Sequence, residues 1–180
     1  MRRISVVGCS GSGKTTTARR LSAVLGVPHV ELDALHWGPD WSAATAEVLT
    51  ERVTAATRIE AWVVDGNYRS KIGTLVWDRA DTVVWLDPAR TRVMWRCLTR
   101  TLRRILTRES LWGTNRENWR ALMFWRGADS ILWWAWTSYK RTRDRYETAM
   151  TDPAYEHLTF HRLRTRNEVE RFLDKAARTM

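Results

Sequence analysis

The stretch Gly8-Cys9-Ser10-Gly11-Ser12-Gly13-Lys14-Thr15 decides the fold of this chain. It matches the pattern G-x-x-x-x-G-K-[ST] at every specified position. A hydrophobic strand is predicted just before it, over Arg3–Gly8, and a helix just after it begins, over Lys14–Leu25. Small residues let the backbone fold so that successive N–H groups point at one anion, and the helix adds its positive N-terminal end. The stretch is therefore predicted to be a phosphate-binding loop, or P-loop.

The residues of the P-loop have expected roles toward ATP. The loop is predicted to cradle the phosphates, with Lys14 reaching the β- and γ-phosphates and the Thr15 hydroxyl binding Mg²⁺. Arg164 follows the last predicted strand, in a loop that is expected to wrap around the adenine. The predicted ATP-binding residues are Gly8, Ser10, Gly11, Ser12, Gly13, Lys14, Thr15, Thr16 and Arg164.

Composition limits the class of protein. With 180 residues, 44% hydrophobic and 28% charged, the chain is predicted to form one globular domain over residues 1–180. The apolar run Ile131–Trp136 is too short to span a bilayer and no signal peptide is evident. A cytoplasmic protein without membrane contact is therefore predicted. Cys9 and Cys97 provide neither a disulfide framework nor a metal cluster.

Hydrophobic runs alternate with helical patterns along the chain. Because the runs are continuous and not alternating, they predict a parallel sheet covered by helices on both faces. The fold class is thus α/β, a three-layer P-loop fold with five parallel strands. The predicted strands are Arg3–Gly8, Val27–Leu32, Ala61–Asp65, Thr82–Asp87 and Leu158–Leu163. Helices are predicted over Lys14–Leu25, Ala43–Ile59, Pro88–Thr107, residues 114–150 with breaks near Gly127, and after a capping box at Thr165–Glu168.

Other motifs narrow the class of P-loop protein. The chain has no N/T-K-x-D base-recognition motif of a GTPase and is short for a motor ATPase, which leaves a small kinase. The segment Asp65-Gly66-Asn67-Tyr68-Arg69 resembles the D-G-[FY]-P-R element of the nucleoside-monophosphate kinases. That resemblance implies that Asp65 supports Mg²⁺ and that Arg69 grips an acceptor phosphate. Asp87 also ends a strand and competes with Asp65 for the metal, although Asp87-Pro88 more simply starts the next helix.

Two further stretches resemble one subgroup of adenylate-kinase-like proteins, labelled DNA topology modulation or FlaR-like. They are Leu32-Asp33-Ala34-Leu35-His36-Trp37 and Leu111-Trp112-Gly113-Thr114-Asn115-Arg116-Glu117. The resemblance covers nearly the whole chain and implies a nucleoside-monophosphate-kinase-like fold that uses ATP. Asp33 lies just beyond a strand, at the sheet edge where ligands bind in open α/β folds, so it is expected to orient the acceptor; the alternative is a helix or turn cap. The predicted acceptor residues are Asp33, Trp37, Asn67, Tyr68 and Arg69.

Arginines are concentrated between Arg90 and Arg145 in a chain of formal charge +10. They fit a phosphate clamp, a nucleic-acid surface or a solvated face. Kinases of this fold close a lid over ATP, here expected at about residues 100–150, and lid arginines stabilise the transferred phosphoryl group. The arginines considered are Arg96, Arg100, Arg103, Arg104, Arg108 and Arg116. Arg104, Arg108 and Arg116 are predicted to be catalytic, together with Lys14 and Asp33.

Tryptophans interleave with these arginines, seven of the twelve lying between Trp95 and Trp136. Such a mixture can stack on single-stranded bases, but helix-like spacing favours a core or a subunit contact, so a homo-oligomer is compatible with the sequence. The residues concerned are Trp119, Trp125, Trp133, Trp134 and Trp136.

The resulting hypothesis is an Mg-ATP-dependent phosphotransferase that moves the γ-phosphoryl group to a nucleotide-like or other small acceptor. Its partner is that small molecule. Two alternatives remain open, an ATP-binding protein associated with nucleic acid and a nucleotide-sensing regulator without kinase turnover.

Overall fold

A parallel five-stranded sheet forms the centre of the molecule. The computed structural model describes residues 1–113, 115–123, 127 and 130–178. The strands follow the order β2-β3-β1-β4-β7, and every neighbouring pair is parallel. They are β1 Arg3–Gly8, β2 His29–Glu31, β3 Trp62–Asp65, β4 Thr82–Leu86 and β7 Thr159–Leu163. The predicted sheet is confirmed, with five of the ten strand ends shifted by one or two residues.

Helices follow the strands, and a small antiparallel pair lies between β4 and β7. The helices are α1 Lys14–Leu25, α2 Leu32–His36, α3 Ala46–Ala56, α4 Arg69–Ile72, α5 Arg90–Thr107, α6 Ile131–Ala149 and α7 Arg166–Ala177. The antiparallel pair is β5 Ser110–Leu111 with β6 Asn115–Arg116, and short 3-10 helices span Pro39–Trp41, Trp119–Leu122 and Pro153–Tyr155. The capping box of α7 is present as predicted: the Thr165 hydroxyl accepts from the Glu168 N–H, and the Glu168 carboxylate accepts from the Thr165 N–H.

Two apolar clusters cover opposite faces of the sheet. On β3, Trp62 and Val64 point into one cluster and Val63 into the other, because successive strand side chains alternate between faces. Helix α3 contributes Leu49 to the first cluster, and α1 contributes Leu21 to the second. The predicted three-layer α/β/α architecture is therefore confirmed.

The segment between β4 and β7 differs most from its prediction. The continuous helical pattern expected over residues 114–150 is wrong, because β6 and a 3-10 helix occupy its first part and α6 begins only after Ser130, whose hydroxyl accepts from the Trp133 N–H. Pro88 is not the first residue of α5, which begins at Arg90. Residues 114, 124–126 and 128–129 of this segment lie outside the described part of the chain.

Tryptophans divide between the core and the surface. Trp62, Trp77 and Trp85 are buried in the first cluster. Of the two expectations for the Trp-rich helical region, a core is wrong for its described members, since 54% of Trp119 and 50% of Trp134 are exposed and Trp133 and Trp136 are also exposed. The alternative, a subunit contact, stays a prediction. Trp125 lies outside the described residues. No helix among the described residues is both long enough and apolar enough to cross a membrane.

Candidate nucleotide and acceptor site

The P-loop has a backbone that only glycine can adopt without strain. Gly8, Gly11 and Gly13 have φ values of 144°, 79° and 99°. A Cβ at Gly8 would lie 2.5 Å from the Leu86 carbonyl oxygen, and one at Gly11 would lie 2.7 Å from Cys97 Sγ. The loop therefore packs directly between β4 and α5. Its tight fold leaves a concave backbone of the kind that binds a phosphate chain.

The start of α1 completes this cradle. Gly13 precedes α1 and has no side chain with which to cap it, so the N–H groups of the first turn remain to bind an anion. The Ser12 hydroxyl is buried and has no hydrogen-bond partner among the described residues. Lys14 Nζ donates to the Cys9 carbonyl at 3.1 Å, across the mouth of the loop. Burial raises the pKa of the Cys9 thiol to about 11, which keeps it neutral and fits a loop filler.

Asp65 joins the P-loop to the neighbouring strands. Its Oδ2 accepts from the Thr15 hydroxyl at 2.7 Å, and its Oδ1 lies 2.7 Å from His29 Nε2. Asp87, the competing carboxylate, pairs instead with Arg162 at 2.5 and 2.8 Å. Because Mg²⁺ is commonly held by one or two protein oxygens together with phosphates and water, Thr15 backed by Asp65 suits that ion. No group of three His, Cys, Asp or Glu in the described chain suggests a metal site built from protein ligands alone.

One large cleft connects the P-loop with the end of β2. Its volume is about 900 Å³, and its lining includes ten cationic and four anionic side chains. The anionic residues include Glu31, at the end of β2, and Asp33, in α2. Asp33 does not cap a helix, because its Oδ1 accepts from the Tyr68 hydroxyl at 2.6 Å. The structure thus brings Asp33, which lines the cleft, into contact with Tyr68, which lines a small neighbouring cavity.

Glu31 is a site residue that the motif analysis missed. Burial raises the pKa of its carboxyl, and the charges of Asp65 and Asp33 raise it further. Its Oε1 accepts from the Trp112 indole N–H at 3.3 Å, and its Oε2 lies 3.9 Å from the Arg19 guanidinium. Its position as the last residue of β2, two before Asp33, was the available signal, since strand ends line the ligand edge of the sheet.

Arginines of α5 face the cleft in a register that differs from the prediction. Arg96 Nη1 donates to the Ser12 carbonyl at 3.1 Å, and Arg100 Nη2 lies 3.5 Å from Ser10 Oγ. Arg104 also lines the cleft, where its guanidinium pairs with Glu117 at 3.0 Å and lies 3.8 Å from Glu109. The two arginines that contact the P-loop are therefore one and two turns earlier than Arg104.

Two predicted catalytic arginines lie elsewhere. Arg108 is the C-cap residue that follows α5, exposed and in a left-handed conformation with φ 51°. Arg116 is exposed on β6. Neither belongs to the described lining of the cleft. The structure does not bring them to the P-loop, because α5 ends before Arg108 and the chain then turns into β5.

Three predicted acceptor residues also have other contacts. The Asn67 amide hydrogen-bonds the backbone of Gly8, and its Oδ1 accepts from the Tyr146 hydroxyl at 2.8 Å, so it braces the start of the P-loop. Trp37 packs edge-on against His36 and Trp41. The described lining of the cleft includes neither Asn67 nor Trp37.

Arg69 is the third of these residues. Its guanidinium lies 5.1 Å from the ring centre of Trp77 and 5.0 Å from that of Tyr155, and it donates to the Tyr155 hydroxyl. This position borders a small separate cavity and not the main cleft. The structure therefore does not bring Arg69 to an acceptor bound beside Asp33.

The remaining predicted nucleotide residues lie in the cleft. Thr16 and Arg164 both line it. The Arg164 N–H donates to Glu168 at 2.5 Å, and its guanidinium lies 3.8 Å from Asp87. The loop after β7 therefore presents backbone and side chain to the same cleft as the P-loop.

The chain has the fold of several small-molecule kinases. No protein-family model matches it, and no curated protein does. Shikimate kinase from Acinetobacter baumannii, in complex with shikimate, is similar with a TM-score of 0.52 and 16% identity, over 99% of this chain and 92% of that one. A gluconokinase from Sinorhizobium meliloti has a TM-score of 0.52 and 18% identity, over 99% and 94%. A sugar kinase from Janibacter sp. has a TM-score of 0.51 and 17% identity, over 98% and 92%. At such identities the likeness establishes the fold alone, a P-loop α/β/α fold of the nucleoside-monophosphate-kinase-like type.

Proposed function

We propose that this protein is an Mg-ATP-dependent kinase that transfers the γ-phosphoryl group to a hydroxyl of a small acceptor. One observation carries the proposal: a single cleft joins the P-loop to Asp33, whose carboxylate is already oriented by Tyr68. The kinase folds of the solved relatives support the same chemistry.

The nucleotide end of the cleft fits a triphosphate. The glycines at positions 8 and 11 let the loop pack tightly against β4 and α5, where a Cβ would clash, and the hydroxyl of Ser12 is buried without a described hydrogen-bond partner. Lys14 is placed to exchange its bond to the Cys9 carbonyl for one to a phosphate oxygen. Thr15 would hold Mg²⁺, with Asp65 accepting the hydrogen bond of the Thr15 hydroxyl so that the oxygen lone pairs face the ion. Bound Mg²⁺ would neutralise charge on the β- and γ-phosphates.

The acceptor end positions a hydroxyl. Tyr68 occupies Asp33 Oδ1, which leaves Oδ2 to accept a hydrogen bond from the acceptor hydroxyl and take its proton as the new O–P bond forms. Burial raises the pKa of Tyr68, chiefly by desolvation and then through the charge of Asp33, so Tyr68 stays a neutral donor. Such transfer needs positioning more than covalent help.

Arginines of α5 supply the charge that stabilises the transferred phosphoryl group. Arg96 and Arg100 lie against the P-loop, while Arg104 lies further along the cleft and is paired with Glu117. Preorganised cations of this kind act most strongly where charge develops in the transition state. We assign that role to Arg96 and Arg100 in preference to Arg108 and Arg116.

The acceptor is proposed to be a hydroxylated small molecule and not a nucleoside monophosphate. The resemblance to nucleoside-monophosphate kinases assigns the acceptor phosphate to Arg69, but that guanidinium is enclosed by Trp77 and Tyr155. Glu31 and Asp33 at the acceptor end accept hydrogen bonds from hydroxyls, and their charges disfavour a phosphate, with Arg19 lying 3.9 Å from Glu31 as a partial counterweight.

The test is acceptor-dependent release of ADP from Mg-ATP across shikimate, D-gluconate, D-glucose, uridine and AMP. Lys14→Ala is expected to lower turnover by about 100-fold or more, as for loss of one transition-state donor, with the fold retained. Lys140→Ala is the matched control, because Lys140 is a surface lysine paired with Asp144. Near-normal turnover by folded Lys14→Ala would overturn the mechanism. ATP binding without stimulation by any acceptor would instead favour the sensing alternative, and hydrolysis stimulated by single-stranded DNA would favour the nucleic-acid alternative.

A further inference from the structure

The motif at Leu111–Glu117 contacts the residues that directly follow the motif at Leu32–Trp37. Asn115 is buried, and its amide binds the backbone of the 3-10 segment that follows α2. Its Oδ1 accepts from the Trp41 N–H at 2.7 Å, and its Nδ2 donates to the Gly38 carbonyl at 2.8 Å. A side chain with one donor group and one acceptor on adjacent atoms is needed to satisfy both backbone groups. Asn115 therefore fixes the β5–β6 pair onto residues 38–41.

Backbone strain is concentrated at this junction. Four described residues other than glycine have a positive φ, and three of them lie here: Asp40 at 53°, Trp41 at 56° and Trp112 at 43°. Tryptophan in this conformation persists only where surrounding contacts hold it. Between the two facing segments, such contacts include the hydrogen bonds of Asn115 and the edge-on packing of Trp41 against Trp112, with ring centres 5.9 Å apart.

The strained backbone directs Trp112 into the cleft. Trp112 is a lining residue, and its indole N–H donates to Glu31 Oε1 at 3.3 Å. Glu31 in turn lies close enough to Asp33 for the two charges to interact. A large aromatic surface thus stands beside the carboxylates that bind hydroxyl groups.

We propose that Trp112 is a specificity-determining residue for the acceptor and that Asn115 is the residue that positions it. The assignment rests on the proposed kinase function. An acceptor with a hydroxylated carbon skeleton directs its hydroxyls to Glu31 and Asp33 and packs its C–H groups against the indole of Trp112. The indole of Trp112 suits this arrangement, because its N–H binds Glu31 while its apolar surface is available to the C–H groups of the acceptor.

The test measures kcat and both KM values for each acceptor in the panel that the wild type phosphorylates. Trp112→Ala is expected to raise the acceptor KM about tenfold or more, the usual size of a lost pocket contact, while the KM for ATP changes less than about twofold. Trp112→Phe keeps an aromatic ring but loses the indole N–H, so its acceptor KM is expected to lie between those of the wild type and Trp112→Ala. Asn115→Ala is expected to reproduce the effect of Trp112→Ala on the acceptor KM. Trp95→Ala is the control, since 66% of Trp95 is exposed on α5 and it lies outside the described lining.

A second measurement separates positioning from a general loss of structure. Hydrogen exchange of the Trp41 amide is expected to accelerate about tenfold or more in Asn115→Ala, while amides of β1 and β4 keep their protection. Equal acceptor KM values in wild type and Trp112→Ala would overturn the specificity assignment with the kinase function intact. Unchanged exchange at Trp41 would overturn the role of Asn115. A wild type that phosphorylates no acceptor refutes the proposed function and, with it, the role of Trp112.

Discussion

Substitution of Gly11 by alanine tests how closely α5 packs against the P-loop. Gly11 has φ 79°, and an added Cβ would lie 2.7 Å from Cys97 Sγ and 2.8 Å from the Val93 carbonyl oxygen. Both atoms belong to the buried face of α5. Distances below 3 Å force a shift of the loop or of the helix, and the carbonyl belongs to backbone that cannot rotate away.

The magnitude has two parts. Holding alanine in a left-handed conformation costs about 1–2 kcal/mol, and overpacking a close contact costs about 1–3 kcal/mol more. Gly11→Ala is therefore expected to lower the free energy of unfolding by about 2–5 kcal/mol. Gly26→Ala provides the matched control, because Gly26 ends α1 with φ 60° and has nothing within 4 Å of the added Cβ. It is expected to lose only the first part, about 1–2 kcal/mol.

The assay is urea unfolding followed by circular dichroism, applied to Gly11→Ala and Gly26→Ala. Cys97→Ala and the double variant Gly11→Ala/Cys97→Ala complete a double-mutant cycle. Removal of Sγ relieves the nearer contact but not the one to the Val93 carbonyl, so the cycle is expected to show a favourable coupling of about 1 kcal/mol. Equal destabilisation by Gly11→Ala and Gly26→Ala would refute the packing of α5 on the loop. Additive free energies in the cycle would show that Cys97 Sγ does not contact the Cβ added at Gly11.

Two further predictions concern the metal and pH. Asp65→Asn is expected to raise the Mg²⁺ concentration for half-maximal turnover about 10–100-fold, because Asp65 orients the Thr15 hydroxyl, whereas Asp87→Asn should change it less than twofold; equal effects would contradict the assignment to Asp65. Burial and then the charge of Lys71 lower the pKa of His36, so the fold favours neutral His36 and the free energy of unfolding should fall as pH drops from about 6.5, by at most about 1.4 kcal/mol per pH unit for this residue. Urea unfolding at pH 7 and pH 5 checks this, and a His36→Gln variant with an undiminished pH dependence would contradict it.

Elements whose cause is local were predictable from the sequence. The strands are continuous apolar runs, the P-loop needs its glycines, and the capping box of α7 joins residues three apart. Asp33 and Tyr68 were predicted separately as acceptor residues, and the structure joins them by a hydrogen bond that spans 35 positions. Residues near a strand end share the ligand edge of a parallel sheet, so their proximity follows from topology.

Contacts set by distant partners were not predictable. Helical spacing showed which arginines of α5 share a face. Which face turns to the P-loop depends on the close packing of Gly11 against Cys97 and Val93, which the spacing does not reveal. Arg69 is held by Trp77 and Tyr155, the second of which is 86 positions away. The identity of such a partner is not encoded in the motif that contains the arginine.

The distribution of charge along the cleft bears on the proposed transfer of a phosphoryl group from the P-loop to Asp33. The cations at the P-loop are Lys14, within the loop, and Arg96 and Arg100, which contact it from α5. The carboxylates of Glu31 and Asp33 lie near the end of β2, which β3 separates from β1 in the sheet. A polyanion is therefore attracted to one end and repelled from the other, while a neutral hydroxyl meets hydrogen-bond acceptors only at the second. Because Arg69 is enclosed by aromatic rings, the described residues near Asp33 do not include it as a compensating cation for an acceptor phosphate. The same polarity that suits the P-loop to the proposed ATP thus argues for an acceptor that brings hydroxyl groups, and not a phosphate, to Asp33.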